Sequence, residues 1–183
     1  MAITSSDVEW RYANPDASVG NQLGQRYPAK SLGGFVSQSV WPGLSLGDLF
    51  GDVSGQDNAA QAVDYRCLFF VNRHATLAAT NLVAWLVDVA GSFTDLAIGV
   101  DPTPATPLGT QSPQAVATVS PTAVPPGVTF SAPASQLDGI ALGDIPAGYC
   151  RAVWLRRTAT NSAGTVPDDP DHKQIAVHVE SAG

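Results

Sequence analysis

The apolar positions of this chain fall into short runs separated by turn-forming residues. Residues 65–71 (YRCLFFV) form a mostly apolar run, which is typical of a strand buried on both faces. Residues 82–89 and 95–100 are further apolar runs, and residues 149–158 form the longest one. These runs have the length of strands and are too short for typical helices. Residues 175–180 alternate apolar with small or polar side chains, which predicts one buried and one solvated face.

Shorter strands are predicted at residues 128–131 and 139–142, and residues 144–148 (DIPAG) predict a tight turn. About seven or eight strands with turns at intervals of roughly ten residues favour an all-β fold. We therefore expect an immunoglobulin-like or jelly-roll-like β-sandwich. Turn residues in the segment 161–171 predict a long hairpin loop between the last two strands.

The N-terminal third differs from the rest because no strand or helix period persists in it. We divide the chain into an extended N-terminal arm or interface segment (1–62) and a β-sandwich domain (63–183). Seven prolines make residues 101–127 a Pro-rich loop of that domain, since proline lacks the amide proton that a strand ladder needs. Two interpretations of the arm stay open: it packs on a neighbouring chain, or it covers its own domain. The interface candidates are Trp10, Tyr12, Phe35, Trp41, Phe50, Arg156 and Arg157.

Composition supports strands and excludes some classes of partner. The 183 residues carry a net charge of −7, and 14 of the 16 acidic residues are Asp. Gly (17) and Pro (14) are plentiful, whereas the strong helix formers Glu, Lys and Met are rare. An acidic chain lacks the cations that neutralise phosphates, so we expect no nucleic-acid partner. No apolar run approaches the roughly 18 residues of a membrane span, and the first ten residues do not resemble a secretory signal.

Two polar groupings are candidates for sites. Three carboxylates and a histidine between residues 168 and 172 could hold calcium, but Pro170 interrupts them and a solvated loop is favoured. His178 and Glu180 lie two residues apart on a predicted strand, where alternation places both on the solvent face. An exposed polar pair is therefore favoured over a proton relay or half a metal site. We predict no catalytic, cofactor-binding or metal-binding residue. The three carboxylates and the histidine considered above for calcium are Asp168, Asp169, Asp171 and His172.

Arginines and cysteines lie within the predicted strands. Arg151, Arg156 and Arg157 share one strand, and in an acidic chain we favour ion pairs to Asp on a neighbouring strand or subunit over binding of phosphate or carboxylate. Cys67 and Cys150 are 83 residues apart in sequence. Two buried thiols are favoured over a disulfide, because the chain is expected to be made in a reducing compartment.

Several segments resemble one known family. The stretch 63–77 (VDYRCLFFVNRHATL) carries a "YRC, hydrophobic run, N-x-HATL" pattern. This pattern is similar to a family of small virion structural proteins of tailed bacteriophages. The resemblance extends over most of the chain in the same order and departs from the family in the Pro-rich stretch 101–126. The other matching segments are 14–18 (NPDAS), 49–55 (LFGDVSG), 127–133 (GVTFSAP), 142–148 (LGDIPAG) and 152–158 (AVWLRRT).

The resemblance implies a non-enzymatic component of a phage particle, assembled in the bacterial cytoplasm and located in the virion. Its partners would be capsid or head–tail proteins, with no cofactor. An acidic, β-rich domain of this size with an extended arm suits a capsid decoration or cement protein that bridges capsid subunits, as a homo-oligomer with a trimer favoured. The apolar arm would cover a junction between subunits, and the Asp-rich face would point outward. The alternative is a neck, collar or tail adaptor.

A second alternative from another class is a carbohydrate-binding β-sandwich, in which exposed aromatic side chains stack on sugars. Trp85 and Trp154 lie within apolar runs and are expected in the core. Trp10 and Trp41 lie in the predicted arm and are the better candidates for an interface.

Overall fold

A computed structural model describes residues 2–22, 28–43, 47–87, 94–160 and 174–181. Short helical segments precede β3: the helices α1 (Gly47–Phe50) and α2 (Gly55–Ala59) and the 3-10 turns Ser5–Asp7 and Pro28–Lys30. The strands are β1 (Val8–Asn14), β2 (Phe35–Val40), β3 (Val63–Asn72), β4 (Ala79–Val87), β5 (Thr94–Val100), β6 (Thr106–Pro107), β7 (Ile140–Ala141), β8 (Tyr149–Ala159) and β9 (Gln174–Ser181).

The strands form two antiparallel sheets. The main sheet has the order β2-β1-β3-β8-β5, and the short β6 pairs with β8 as well. The second sheet has the order β7-β4-β9. The two sheets pack against each other, because buried residues of both share one apolar cluster. The predicted all-β class is confirmed, and the arrangement resembles a sandwich.

The pair β3 and β8 forms the middle of the main sheet and is buried on both faces. In this register Leu68 faces Val153 and Cys67 faces Trp154, so neighbouring pairs point to opposite faces. One face meets the second sheet. Its shared cluster includes Leu68, Phe70, Val153 and Leu155 of the main sheet and Leu82, Ala84 and Leu86 of β4. The apolar run at 65–71 is therefore a strand buried on both sides, as predicted.

The other face of the main sheet is covered by the Pro-rich segment. We call residues 101–130 the cover. Ala115 of the cover is buried in one cluster with Cys67, Phe69 and Trp154 of the main sheet. Val116 and three further apolar side chains of the cover, Leu108, Val128 and Phe130, pack against that cluster. The prolines thus prevent a long strand here, yet the segment supplies a third layer to the fold.

The chain that follows the cover joins the edges of the two sheets. Ser131 forms an antiparallel bridge with Ile98 of β5, and Leu86 of β4 donates its N–H to the Pro133 carbonyl at 2.8 Å. Next, β7 pairs with β4, and Ile145 bridges to Ala79 at the start of β4. We call residues 131–145 the edge segment. It closes the sandwich along this side by backbone hydrogen bonds to both sheets.

The predicted N-terminal arm is not separate from the sandwich. Val8–Asn14 is a strand of the main sheet, and five of its residues are paired with β3. Phe35–Val40 then pairs with β1 at the edge of that sheet. The boundary at residue 62 is therefore wrong, and the alternative that this segment covers its own domain is the one that holds. Residues 8–12 (VEWRY) alternate apolar and polar side chains, but too briefly to predict a strand, and the last three residues of β1 are all buried.

Two smaller predictions also need correction. β8 and β9 belong to different sheets, so they do not form a hairpin. Residues 128–131 contribute a single bridge at Ser131 rather than a strand. The carboxylate cluster at 168–172, a candidate for calcium, lies outside the described residues.

Candidate functional site

Most of the predicted interface side chains are buried within their own chain. Five of them have relative exposures between 4% and 8%, so they contribute to the core and not to an interface; they are Tyr12, Phe35, Trp41, Phe50 and Arg157. Trp10 is half-buried and lies edge-on to Phe70, with ring centroids 5.3 Å apart. Arg156 is half-buried over the ring of Phe130 at 5.5 Å. Sequence alone does not reveal this burial within the chain, because large side chains in an aperiodic segment give no sign of what they pack against.

Arg157 joins α1 to the main sheet. Its Nη2 forms an ion pair with Asp64 Oδ2 at 2.9 Å, and its Nη1 donates to the Gly51 carbonyl at 2.6 Å. The guanidinium groups of Arg157 and Arg66 both lie over the ring of Phe50, at 4.8 and 5.4 Å. Burial lowers the pKa of Arg66, and the nearby Asp64 carboxylate opposes this shift. The predicted ion pair to Asp on a neighbouring strand is thus confirmed for Arg157.

A second set of polar contacts stabilises the connection between β3 in the main sheet and β4 in the second sheet. The Asn72 side chain is fully buried and donates from Nδ2 to the carbonyls of Leu77 and Ile145, each at 2.9 Å. Its Oδ1 accepts the His74 N–H at 3.0 Å. His74 Nδ1 in turn accepts the backbone N–H groups of Thr76 and Leu77. The His74 imidazole therefore stabilises the turn at residues 74–77.

A buried carboxylate attaches the cover to the main sheet. Asp101 has no exposure, and its Oδ2 accepts from Trp154 Nε1 at 2.8 Å and from the Val116 N–H at 3.0 Å. Its Oδ1 accepts the Thr103 N–H at 2.9 Å. Arg151 Nη2 donates to the Asp101 backbone carbonyl at 3.1 Å. A carboxylate without solvent needs such partners, and here each partner belongs to the cover or to β8.

Gln114 makes the second attachment of the cover. Its Oε1 accepts the Val36 N–H at 3.0 Å, and its Nε2 donates to the Pro107 carbonyl at 3.0 Å. The close approach of cover and sheet depends on glycine at position 33, which has φ +86°. A Cβ at Gly33 would lie 1.8 Å from the Val116 carbonyl oxygen, so no other residue fits. The roles of Asp101, Asn72 and Gln114 are not visible in the sequence, because a polar residue in a loop or at the end of a strand gives no sign of burial.

The predicted polar pair, His178 and Glu180, lies at the surface of β9. His178 Nε2 lies 3.3 Å from Glu180 Oε1, and both side chains are substantially exposed, as predicted. Glu180 also accepts from Asn81 Nδ2 at 2.7 Å, and that bond, together with His178, lowers the pKa of its carboxyl. In the described part of the chain, no three His, Cys, Asp or Glu side chains come together as a metal site.

The two cysteines are unpaired, as predicted. Both are almost completely buried. Burial raises the pKa of Cys67 well above its ordinary value and raises the pKa of Cys150 to about 12. Gln114 Nε2 donates to Cys150 Sγ at 3.2 Å, so this thiol is also part of the contact between cover and sheet. Neutral buried thiols are poor nucleophiles.

The described surface has one unusual region, which lies on the cover. Val119 is fully exposed and Val124 is 65% exposed, and the two flank a turn that the Ala123 N–H closes on the Ser120 carbonyl at 3.1 Å. Residues 102–137 contain no charged side chain, although the whole chain carries −7. Leu137, at the end of this uncharged stretch, is 94% exposed and precedes Asp138.

Comparisons with known proteins add no relative. This chain matches no protein-family model, no curated protein sequence and no solved structure. Among the described helices, none has the length and apolar character needed to cross a membrane.

Proposed function

We propose that this protein is a non-enzymatic structural component of a tailed-phage particle, and specifically a capsid decoration or cement protein. Its partners in this proposal are the capsid proteins that it bridges. Because the described residues before β3 belong to the domain itself, the contact with the particle in this proposal is made by the surface of the folded domain and not by an extended arm.

The observation that carries the proposal is how the segments of the phage resemblance meet in space. Segment 49–55 contacts segment 152–158 through the hydrogen bond from Arg157 to Gly51. Segment 63–77 contacts segment 142–148 through the bond from Asn72 to Ile145. Segments that are distant in sequence thus join in pairs to hold the sandwich together. The segments on which the resemblance rests are therefore parts of one folded core, as a shared fold would require, and this supports the proposal.

The choice of decoration within the virion rests on shape and surface chemistry. The domain is small and acidic, a third layer covers one face of its main sheet, and His74 and Cys150 make structural contacts. A rigid domain that only has to occupy a surface needs no reactive group.

Quantitative mass spectrometry of purified particles tests the proposal. We expect a copy number that scales with the major capsid protein, with the portal and tail-tube proteins of the same particles as internal standards. A copy number equal to that of a ring at the neck would contradict decoration and favour the neck, collar or tail adaptor. Absence of the chain from purified particles would overturn the virion assignment altogether.

The carbohydrate-binding alternative loses support from the tryptophans. Trp154 and Trp41 are buried, and Trp10 packs on Phe70. Trp85 is half-buried on the face of β4 opposite to the shared core. Single scattered tryptophans do not form the aromatic platform that sugar stacking needs. Binding of the purified chain to a glycan array would favour this alternative again.

A further inference from the structure

We infer that the edge of β9 that faces away from β4 binds an extended peptide segment of another protein, which joins the second sheet as a further strand. We call this edge the outer edge of β9. The bound segment has apolar side chains at alternate positions and a Lys or Arg on its solvent face. This inference goes beyond the virion proposal and does not depend on it, because it concerns the chemistry of the purified chain.

The outer edge of β9 carries backbone groups that point away from the fold. Ile175 lies opposite Leu86 of β4, and the Leu86 N–H is donated away from β9, to the Pro133 carbonyl at 2.8 Å. The pair of Ile175 and Leu86 is therefore not hydrogen-bonded, so the N–H and C=O of Ile175 point to the outer edge. Alternation along the strand gives the same direction to the backbone groups of Val177 and Val179.

The long edges of the main sheet are covered, in contrast to this one. At the edge of β5, Ile98 exchanges two backbone hydrogen bonds with Ser131, at 2.8 and 2.9 Å. At the edge of β2, the Val36 carbonyl accepts the Asn21 N–H at 2.7 Å. Within the described ranges, no residue pairs with the outer edge of β9. This strand is eight residues long and contains no Pro or Lys, the residues that commonly protect an edge strand from pairing.

The core is also open beside the outer edge. The core-facing side chains of β9 are Ile175, Val177 and Val179, and all three are only half-buried, whereas those of β4 are buried. The second sheet has three strands, but the path of the main sheet that it packs against has five. A further strand beside β9 would place its own alternate side chains against this half-buried apolar surface. Those side chains are therefore apolar in the segment that we infer.

The backbone chemistry of the edge selects an extended peptide as the occupant. The outward N–H and C=O groups recur at every second residue of β9, and an extended chain presents matching donors and acceptors at the same spacing. Addition of such a strand to an open sheet edge is a recurring mode of peptide recognition, in which main-chain bonds give affinity and alternate side chains give specificity.

Charge selects among extended peptides. Glu180 is the acidic residue of β9, and its side chain is 54% exposed on the solvent face. Asn81 brings a second carboxylate close to it, because its Nδ2 donates to Glu180 Oε2 at 2.7 Å and its backbone N–H donates to Asp144 Oδ1 at 3.2 Å. A Lys or Arg opposite Glu180 on the added strand forms a favourable cross-strand pair. A second copy paired through β9 lacks this cation, since β9 contains no Lys or Arg and each copy carries −7.

Fluorescence anisotropy with a labelled synthetic peptide tests this inference. The probe is Lys-Val-Thr-Val-Thr-Val-Lys, whose valines lie on one face and whose lysines lie on the other; the control peptide has Glu in place of both Lys. We expect the wild type to bind the lysine peptide about fivefold or more tightly than the glutamate peptide. Equal binding of the two peptides, or binding of neither, would overturn the inference.

Two charge variants locate the preference on β9. Glu180→Lys should reverse the preference between the two peptides, and the exposed position of Glu180 should leave the fold intact. Asp52→Lys is the matched control, because it makes the same change of net charge at an exposed position outside the second sheet. It should keep the preference of the wild type. Equal effects of the two variants would show that the peptide responds only to net charge and would overturn the inference.

Hydrogen exchange measured by NMR separates strand addition from simple attraction of charge. The lysine peptide should protect the amides of Val177 and Val179, whereas those of Ala176 and His178 face β4 and should change little. Val177→Pro removes an outward N–H and should weaken binding of the lysine peptide. Binding that leaves the Val177 amide unprotected would overturn the inference. So would protection that appears without peptide as the protein concentration rises, because a second copy would then occupy the edge.

Discussion

The indole N–H of Trp154 donates to a carboxylate oxygen of Asp101 at 2.8 Å, and neither side chain has any exposure to solvent. Trp154 lies at the centre of the main sheet, whereas Asp101 begins the cover. The bond therefore connects the middle of the fold to the segment that covers it. Because the same oxygen also accepts the Val116 N–H, two buried donors depend on one acceptor.

We predict that Asp101→Ala destabilises the protein by about 3 kcal/mol, because it leaves the donors of Trp154 and Val116 buried without an acceptor. Asp101→Asn keeps one acceptor oxygen, so we expect it to destabilise the protein less, by about 1–2 kcal/mol. Urea unfolding followed by tryptophan fluorescence measures both. An Asp101→Ala variant as stable as the wild type would show that this carboxylate does not hold the cover.

Arg157 is predicted to be a structural residue, unlike its neighbour in sequence. Arg157→Ala removes a partly buried ion pair, a bond to the Gly51 carbonyl and the contact with the Phe50 ring, so we expect a loss of about 3 kcal/mol. Arg156→Ala is the matched control, since the half-buried Arg156 guanidinium contacts the Phe130 ring and, among the described residues, forms no ion pair. Its removal should cost less than about 1 kcal/mol. Equal losses of stability for the two variants in thermal unfolding would contradict a structural role particular to Arg157.

The Asn72 contacts predict a difference between two substitutions. Asn72→Asp is nearly isosteric but replaces the donor to the Leu77 and Ile145 carbonyls with a carboxylate oxygen, so we expect about 3 kcal/mol of destabilisation at neutral pH. Lowering the pH should recover part of that loss, because a protonated carboxyl can donate one hydrogen bond. Asn72→Ala should show no such pH dependence. Unfolding midpoints of both variants at pH 4 and at pH 7 decide between these outcomes.

The buried thiols predict a loss of stability in alkaline solution. Burial raises the folded-state pKa of Cys150 from 9.0 to about 12 and that of Cys67 in the same direction. The unfolded chain therefore releases these protons first. The stabilisation is complete below about pH 9 and is lost as the pH rises towards 12, with a slope approaching about 1.4 kcal/mol per pH unit for each thiol.

Comparing the wild type with Cys150→Ala isolates this effect from other groups that titrate in the same range. The variant should lose stability less steeply between pH 9 and pH 11. In the folded wild type, a thiol reagent such as dithionitrobenzoate should react only as fast as the protein opens. Rapid labelling of both cysteines at neutral pH would contradict their burial.

Sequence predicts those elements whose signal is local. The run at 65–71 is a strand buried on both faces, as expected, because seven mostly apolar residues in succession leave no polar face for solvent. The later strands β5 and β8 lie within one or two residues of their predicted positions. The solvent-facing pair His178 and Glu180 follows directly from strand alternation.

The elements that sequence misses depend on partners distant in the chain. β1 is a strand of the main sheet because β3 offers it an edge, and the brief alternation in residues 8–12 does not show this pairing. The cover is predicted only as a Pro-rich loop, since its prolines argue against a long strand but do not show what the segment packs on. Asp101 and Asn72 look like ordinary loop and strand-end polar residues until the fold surrounds them. The order of the strands within each sheet likewise cannot be predicted from local sequence patterns.

The position of β3 in the main sheet has a consequence for how the protein is made. Leu68 pairs with Val153, which is 85 residues later in the chain (153 − 68), and β1 in turn depends on β3 for its partner. Long-range pairing of this kind makes folding slow. During synthesis the apolar run of β3 therefore leaves the ribosome long before β8 exists to pair with it. We expect the growing chain to rely on the chaperones of the cell that makes it until its last strands emerge.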